Sequence, residues 1–357
     1  MLASQVRGMH RQGPLRRSAQ MILGRGYGSN SKIFVRSRQV YLIGLEEHYA
    51  TPAVLEAIGL DVSWIPSRPD LRLCDVSDGR IAAMNEAGID RQVLSLVTPG
   101  VQELPPELGA SLARQYNTEL RESIIGAHPS RFCGFATLPM SAPEEAAVEL
   151  ERSVTELGLV GAMIHGRTAG RFLDDPRFDS ILSCAESLNT PIYLHPGYPT
   201  PSIVDEYFSG FSSAVSNALG TAAIGWHQET AIHALRLVTS GVFDKYPNLR
   251  VILGHLGEGL PFYLPRVEEF LSPLVTNLRL PVAEYFRRNF WITTSGFTND
   301  AVFSLAVAMF GADNIMFSVD YPFSDNVRTR CWFDALPIDE ETRMNIAFKT
   351  ALSLLRL

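Results

Sequence analysis

The stretch Ile43-Gly44-Leu45-Glu46-Glu47-His48-Tyr49 (IGLEEHY) begins as a buried strand and finishes in two carboxylates and an imidazole. Side chains alternate between the two faces of a strand, so Glu46 and His48 project to one side and Glu47 to the other. One face therefore carries a carboxylate and an imidazole together. The rest of the chain is read outward from there, by asking what its other strand-like runs end in.

Eight apolar runs follow one another: Val40–Leu45, Gln92–Val97, Phe132–Leu138, Gly161–Ile164, Pro191–Leu194, Val251–Leu253, Phe290–Thr294 and Ile315–Val319. Between them lie amphipathic stretches with helical spacing, among them Glu144–Leu157, Thr230–Ser240 and Pro261–Phe270. Strands alternating with helices predict an α/β protein, a (β/α)₈ TIM barrel. The segments Asp61–Ser77 and Gly197–Leu219 are too long for simple connections, which makes them candidate active-site loops.

Composition narrows the class. A chain of 357 residues with 46% hydrophobic and 19% charged residues can bury a barrel-sized core. No apolar run approaches the roughly 20 residues of a membrane-spanning helix. Cys74, Cys133, Cys184 and Cys331 have no paired spacing, which argues against a disulfide framework and for a reduced, cytoplasmic setting. The formal net charge of −7 is uneven: residues 1–45 hold Arg7, Arg11, Arg16, Arg17, Arg25, Lys32, Arg36 and Arg38 and no acid. Residues 1–38 therefore read as an Arg-rich extension, either a mitochondrial transit peptide leading to the matrix or a disordered segment, and residues 39–357 as the barrel. An acidic body without a basic stripe and interleaved aromatics excludes a nucleic-acid partner.

Barrel enzymes place their chemistry at the C-terminal ends of the strands. The first run ends in Glu46 and His48, the fifth in His195, the sixth in His255 and Glu258 ("ILGHLGEG"), and the eighth in Asp320 ("FSVDYPF"). Glu46, His48, His195 and Asp320 make a mixed nitrogen and oxygen ligand set for one divalent ion, with Zn²⁺ favoured by the imidazoles and Mn²⁺ or Mg²⁺ by the carboxylates. His255 and Glu258 remain for acid/base work. His165, after the fourth run, reads as a packing residue that lines the mouth. His128 falls in a loop, His10 in the extension, and His227 and His233 on a helix where both read as structural. The only lysines are Lys32, Lys245 and Lys349, none at a strand end. A carboxylated lysine bridging two metals is thereby excluded, and a mononuclear site is expected.

These residues resemble the amidohydrolase superfamily, and within it the decarboxylases related to aminocarboxymuconate semialdehyde decarboxylase, above all the 2,3- and 2,6-dihydroxybenzoate (γ-resorcylate) decarboxylases. "LEEHY" stands where most of the superfamily has a His-x-His pair, and "QETAIHALRLVTSGVFDKYPNLRVILGHLGEGLP" and "FWITTSG" extend the likeness. It runs from about Gly44 to Leu355. The resemblance implies that Glu46, His48, His195 and Asp320 hold the metal, that His255 and Glu258 form an acid/base pair, and that Phe323 lines a ring pocket. It also implies that Arg266 reaches the substrate of a neighbouring subunit in a homodimer or homotetramer. The activity implied is non-oxidative loss of CO₂ from an ortho-hydroxybenzoate, a small aromatic acid, with Asp320 as proton donor. Two alternatives stand beside it: a mononuclear metal-dependent hydrolase of a lactone or amide, and a non-catalytic binding barrel.

Overall fold

The computed structural model describes residues 40–59 and 72–357. The Arg-rich extension and the Asp61–Leu71 part of the first expected loop lie outside the described residues.

Among the described residues eight strands follow in order: β1 Ile43–Tyr49, β2 Arg91–Leu96, β3 Phe132–Gly134, β4 Ala162–His165, β5 Ile192–His195, β6 Val251–Leu253, β7 Phe290–Thr293 and β8 Ile315–Met316. All the ladders are parallel, β1 to β3 in one set and β4 to β8 in the other. Single parallel bridges, Ala136 to Ala162 and Glu47 to Tyr321, join the two sets at both edges. The sheet therefore closes on itself as the expected (β/α)₈ barrel, because parallel neighbours need crossover helices, which form the outer layer.

Only β6 keeps its expected bounds: β2, β4, β5 and β7 shift by a residue, β3 stops at Gly134 short of Leu138, and β1 and β8 differ most in consequence. β1 starts at Ile43 and runs through Tyr49, because its ladder with β2 continues to His48 opposite Ser95 and Tyr49 opposite Leu96. The acidic and imidazole side chains thus stand inside the strand. β8 ends at Met316, because the next amides leave the ladder: Phe317 N–H donates to the Ile346 carbonyl at 2.8 Å and Ser318 N–H to Thr294 Oγ1 at 2.9 Å.

Ile43, Leu45, Val93, Cys133, Phe135, Met163, Tyr193, Ile252 and Met316 form one apolar cluster with Ala351, Leu354 and Leu355 of the C-terminal helix. Two residues further along the same strands come Ser95, His165, His195, Gly254 and Ser318, and on β7 Thr293 stands two beyond Trp291, which packs against the same cluster. The strand period of two thus carries each chain from an apolar layer into a polar one. On β1 a register shift between Gly44 and Glu47 sets Leu45 and Glu46 against the single residue Val93. This bulge changes the phase, so Leu45 stays with the apolar cluster while Glu46 and His48 join the polar layer.

Helices clothe the barrel for ordinary reasons. Pro143–Thr155 starts on proline, carries Glu144 and Glu145 in its first turn and Arg152 in its last, each matched to the local helix dipole. Gly225–Thr239 buries Ala231, Ala234, Leu237 and Val238 and sends its first turn toward the mouth of the barrel. Among the described residues no helix is long and apolar enough to cross a membrane.

Candidate metal and acid-base site

Glu46 is fully buried. Its Oε2 accepts hydrogen bonds from Tyr193 Oη and from Ser295 Oγ, the latter at 2.5 Å. Its Oε1 accepts none, although His195 Nε2 lies 3.1 Å away, His255 Nε2 3.5 Å and His48 Nε2 3.9 Å. A buried carboxylate oxygen without a donor is costly unless a cation faces it. Glu46, His48 and His195 bring one ligand atom each within 4.8 Å of one another, and Glu46, His255 and Asp320 do the same. The donor set therefore fits a divalent ion. The residue after β6 is Gly254, where a Cβ would collide with the Glu46 carboxylate.

The second nitrogen of each strand-end imidazole is held. His195 Nδ1 lies 2.8 Å from the Pro196 carbonyl and 3.0 Å from Thr98 Oγ1, and His48 Nδ1 lies 3.3 Å from Ser95 Oγ. A proton on His195 Nδ1, donated to that carbonyl, leaves a lone pair on Nε2 for a metal.

Asp320 sits beyond β8 with φ +74°. Glu47, on the opposite face of β1, accepts from the backbone N–H groups on both sides of it, Val319 at 3.0 Å and Tyr321 at 3.1 Å, and from Ser318 Oγ at 3.2 Å. The second acid of the motif thus grips the loop that presents Asp320. Asp320 Oδ1 is 3.4 Å from His48 Nε2, and Oδ2 is 3.8 Å from His255 Nε2.

After β6 the backbone runs left-handed from His255 through Gly259, with φ between 50° and 83°. Such a turn costs on the order of 1–2 kcal/mol for each non-glycine residue, and here it folds His255 and Glu258 onto one another. His255 Nδ1 meets Glu258 Oε1 at 2.8 Å, and the His255 amide donates to Ser295 Oγ at 3.0 Å. Sequence reasoning did not reach Tyr193, Ser295 or Glu47, nor the place of His227, whose Nδ1 lies 2.5 Å from Glu258 Oε2.

The electrostatics agree with a site built for positive charge. Burial opposes charge on His48, yet the facing carboxylates of Asp320 and Glu46 carry it up to about 9. Burial likewise opposes a charged His255, but Glu46 and Glu258 hold it well above the usual imidazole range. Glu46 is held well below the carboxylate range against its burial by the charge of His255 and by the nearby imidazoles of His195 and His48. Glu258, facing His255 and His227, comes down to about 2 despite burial. Protons here stand where a divalent cation would replace them.

The barrel mouth opens into a cavity of about 250 Å³ lined by His48, His195, His255 and Asp320 and walled by Tyr198, Trp226, His227, Phe297 and Phe323. Phe323 meets His48 edge-on at 5.7 Å between ring centres. His165 is not among the lining residues. It is buried behind His195, with Nδ1 3.0 Å from Thr98 Oγ1, and burial followed by repulsion from His195 and His48 holds it well below the usual imidazole range. Arg266 does not line the cavity of its own chain either: it is exposed on the helix Leu260–Phe270, paired with Glu269 at 3.4 Å and laid over the Phe270 ring. His233, by contrast, is fully buried and accepts from the Leu173 amide at 2.7 Å.

A closed parallel barrel with imidazoles and carboxylates gathered at its strand ends defines the class as a metal-dependent barrel enzyme. The chain belongs to the amidohydrolase family, whose profile matches residues 61–357. It is 39% identical over 331 residues to the γ-resorcylate decarboxylase of Polaromonas sp., covering 88% of this chain and 98% of that one. The crystal structure of a dihydroxybenzoic acid decarboxylase from Polaromonas, with bound manganese and 2-nitroresorcinol, is 37% identical and superposes with a TM-score of 0.81 over 89% of this chain and 97% of that one. The 5-carboxyvanillate decarboxylase of Sphingomonas paucimobilis is 33% identical with a TM-score of 0.82, over 89% and 99%.

Proposed function

We propose that this chain is a carboxy-lyase that removes CO₂, without oxidation, from an ortho-hydroxybenzoate and releases a phenol. The observation that carries the reading is the unpartnered Glu46 oxygen among three imidazoles, beside Asp320, at the floor of an aromatic-walled cavity. Glu46, His48, His195 and Asp320 would hold one divalent ion. Their two nitrogens favour Zn²⁺ and their carboxylates accept Mn²⁺, the ion of the Polaromonas relative. When bound, the ion would supply charge stabilisation and fix the substrate carboxylate and ortho-oxygen.

The chemistry asks for a placed proton. Direct loss of CO₂ would leave an electron pair in the ring plane, outside the π system. An ortho-oxygen instead raises electron density at the carbon bearing the carboxylate. Asp320 delivers a proton there and a C–H bond forms. The bond to the carboxylate then breaks, its electron pair restores the aromatic ring, and CO₂ leaves. His255 returns a proton to Asp320, and Glu258 orients the imidazole. Phe323 and Phe297 confine the ring. The same reading makes the chain a homo-oligomer in which Arg266 serves a neighbour's cavity.

The test is a substrate series followed by ring absorbance and CO₂ release. 2,6- or 2,3-dihydroxybenzoate, or a salicylate, is expected to react, whereas benzoate and 4-hydroxybenzoate stay inert. Efficient turnover of 4-hydroxybenzoate would overturn the ortho-oxygen requirement. His195→Ala is expected to leave a folded protein with substoichiometric metal, and metal analysis of the chain purified without added ion decides which ion it selects.

A further inference from the structure

Glu258 is held from two sides. Oε1 lies 2.8 Å from His255 Nδ1, and Oε2 lies 2.5 Å from Nδ1 of His227. The other nitrogen of His227, Nε2, lies 3.1 Å from the carbonyl oxygen of Ala222. An ionised carboxylate and a backbone carbonyl can only accept, so this geometry is satisfied by an N–H on each ring nitrogen of His227. The ring stands in the cavity wall, edge-on to His255 at 4.9 Å and to Phe297 at 5.5 Å between ring centres. Its place in the first turn of the helix Gly225–Thr239 explains this reach: the helix starts at the barrel mouth, with Trp226 and His227 of its first turn facing the cavity while later turns pack on the wall.

We infer that His227 is the positioning residue of the acid/base pair. Its Nδ1–H fixes the rotation of the Glu258 carboxylate and keeps Oε1 on His255 Nδ1. His255 is then held in the orientation whose Nε2 faces Glu46 and Asp320. Without His227 a buried carboxylate keeps a single donor, and nothing fixes its second oxygen. His227 makes no hydrogen bond to Asp320, His48, His195 or His255, so its hydrogen-bonded route to the acid/base pair runs through Glu258. Supporting groups of this kind typically change activity about 10–100-fold.

The kinetic arm of the test rests on the proposed decarboxylase reading; the spectroscopic arm does not. In full-length protein labelled with ¹⁵N in its histidine rings, both ring nitrogens of His227 should be protonated, and His227→Phe should shift the His255 Nδ1 resonance. A bare Nδ1 on His227 overturns the inference, and this measurement on the unsubstituted protein stands even where His227→Phe fails to fold. In metal-loaded enzyme turning over 2,6-dihydroxybenzoate, His227→Phe should lower kcat about tenfold or more, with KM and metal content within about twofold of the parent. His227→Asn, whose amide N–H can stand near the place of Nδ1–H, should recover most of that loss. Parental kcat in His227→Phe, a loss confined to KM, or equal losses in both variants would each overturn it. A parent enzyme that decarboxylates no ortho-hydroxybenzoate defeats the functional reading and leaves the nitrogen spectrum to judge the clamp.

Discussion

Asp320 occupies a left-handed conformation that few non-glycine residues adopt, and Glu47 holds it there through the amides on either side. Glu47→Ala would leave those two buried amides without acceptors, at about 1–3 kcal/mol each. Denaturant unfolding should show a loss of about 2–6 kcal/mol for the two together, with activity falling further than the fraction unfolded accounts for; unchanged stability would mean that the loop holds itself. Asp320 itself is proposed as both ligand and acid, and asparagine separates the two, since its amide oxygen still coordinates but cannot deliver a proton. An Asp320→Asn enzyme refilled with metal is expected to bind a dihydroxybenzoate and turn over at least about a hundredfold more slowly. Retained activity there beside a dead His255→Asn would move the proton donor to His255. The polar strand-end residues Glu46, His48, His195, His255, Glu258 and Asp320 were legible in sequence because each interrupts an apolar run. Tyr193 and Ser295 were not: a tyrosine inside "IYLH" reads as core until the barrel closes and sets its hydroxyl against Glu46.

Two irregular elements do what regular ones could not. The β1 bulge turns Glu46 and His48 inward after an apolar start, and the left-handed turn after β6 joins His255 to Glu258. Neither has a period that a sequence displays, whereas strand order and helix faces do, which is why the barrel was readable and these two were not. The helix Gly225–Thr239 shows the same split, presenting His227 to the cavity and burying His233. Burial, aided by Arg236 and Arg167, pushes His233 down to about 3. The folded state therefore keeps it neutral while the unfolded chain takes up a proton near the ordinary value of 6.5. The unfolded state binds more protons between those two values, so stability is lost as pH falls through that window. Urea midpoints measured from pH 7 downward should fall less steeply in His233→Gln, which keeps an acceptor for the Leu173 amide. Coincident slopes would place the acid sensitivity elsewhere.

The whole molecule gathers residues as distant in sequence as Glu46 and Asp320 at one mouth, because strand order alone fixes which ends converge. What lies against the outside is a matter no strand pattern addresses. The segment Leu260–Leu274 exposes Phe262, Tyr263, Phe270 and Leu274, and Arg266 stands among them outside its own cavity. Such a grouping suits contact with another protein surface, and the proposed homo-oligomer would set Arg266 at a second copy's mouth. If Arg266 works in a neighbour's site, two inactive variants should rescue one another. In a mixed dimer of Arg266→Ala and Asp320→Asn, the Arg266→Ala chain keeps its own Asp320 and receives Arg266 from its partner, so one of the two sites is whole. Random reassembly of equal amounts makes half the dimers mixed, and activity should return to about a quarter of the parent value. Each variant alone should stay inactive at the same total concentration. Mixed oligomers, verified by tagged pull-down, that recover no activity would show that Arg266 does not act across the interface.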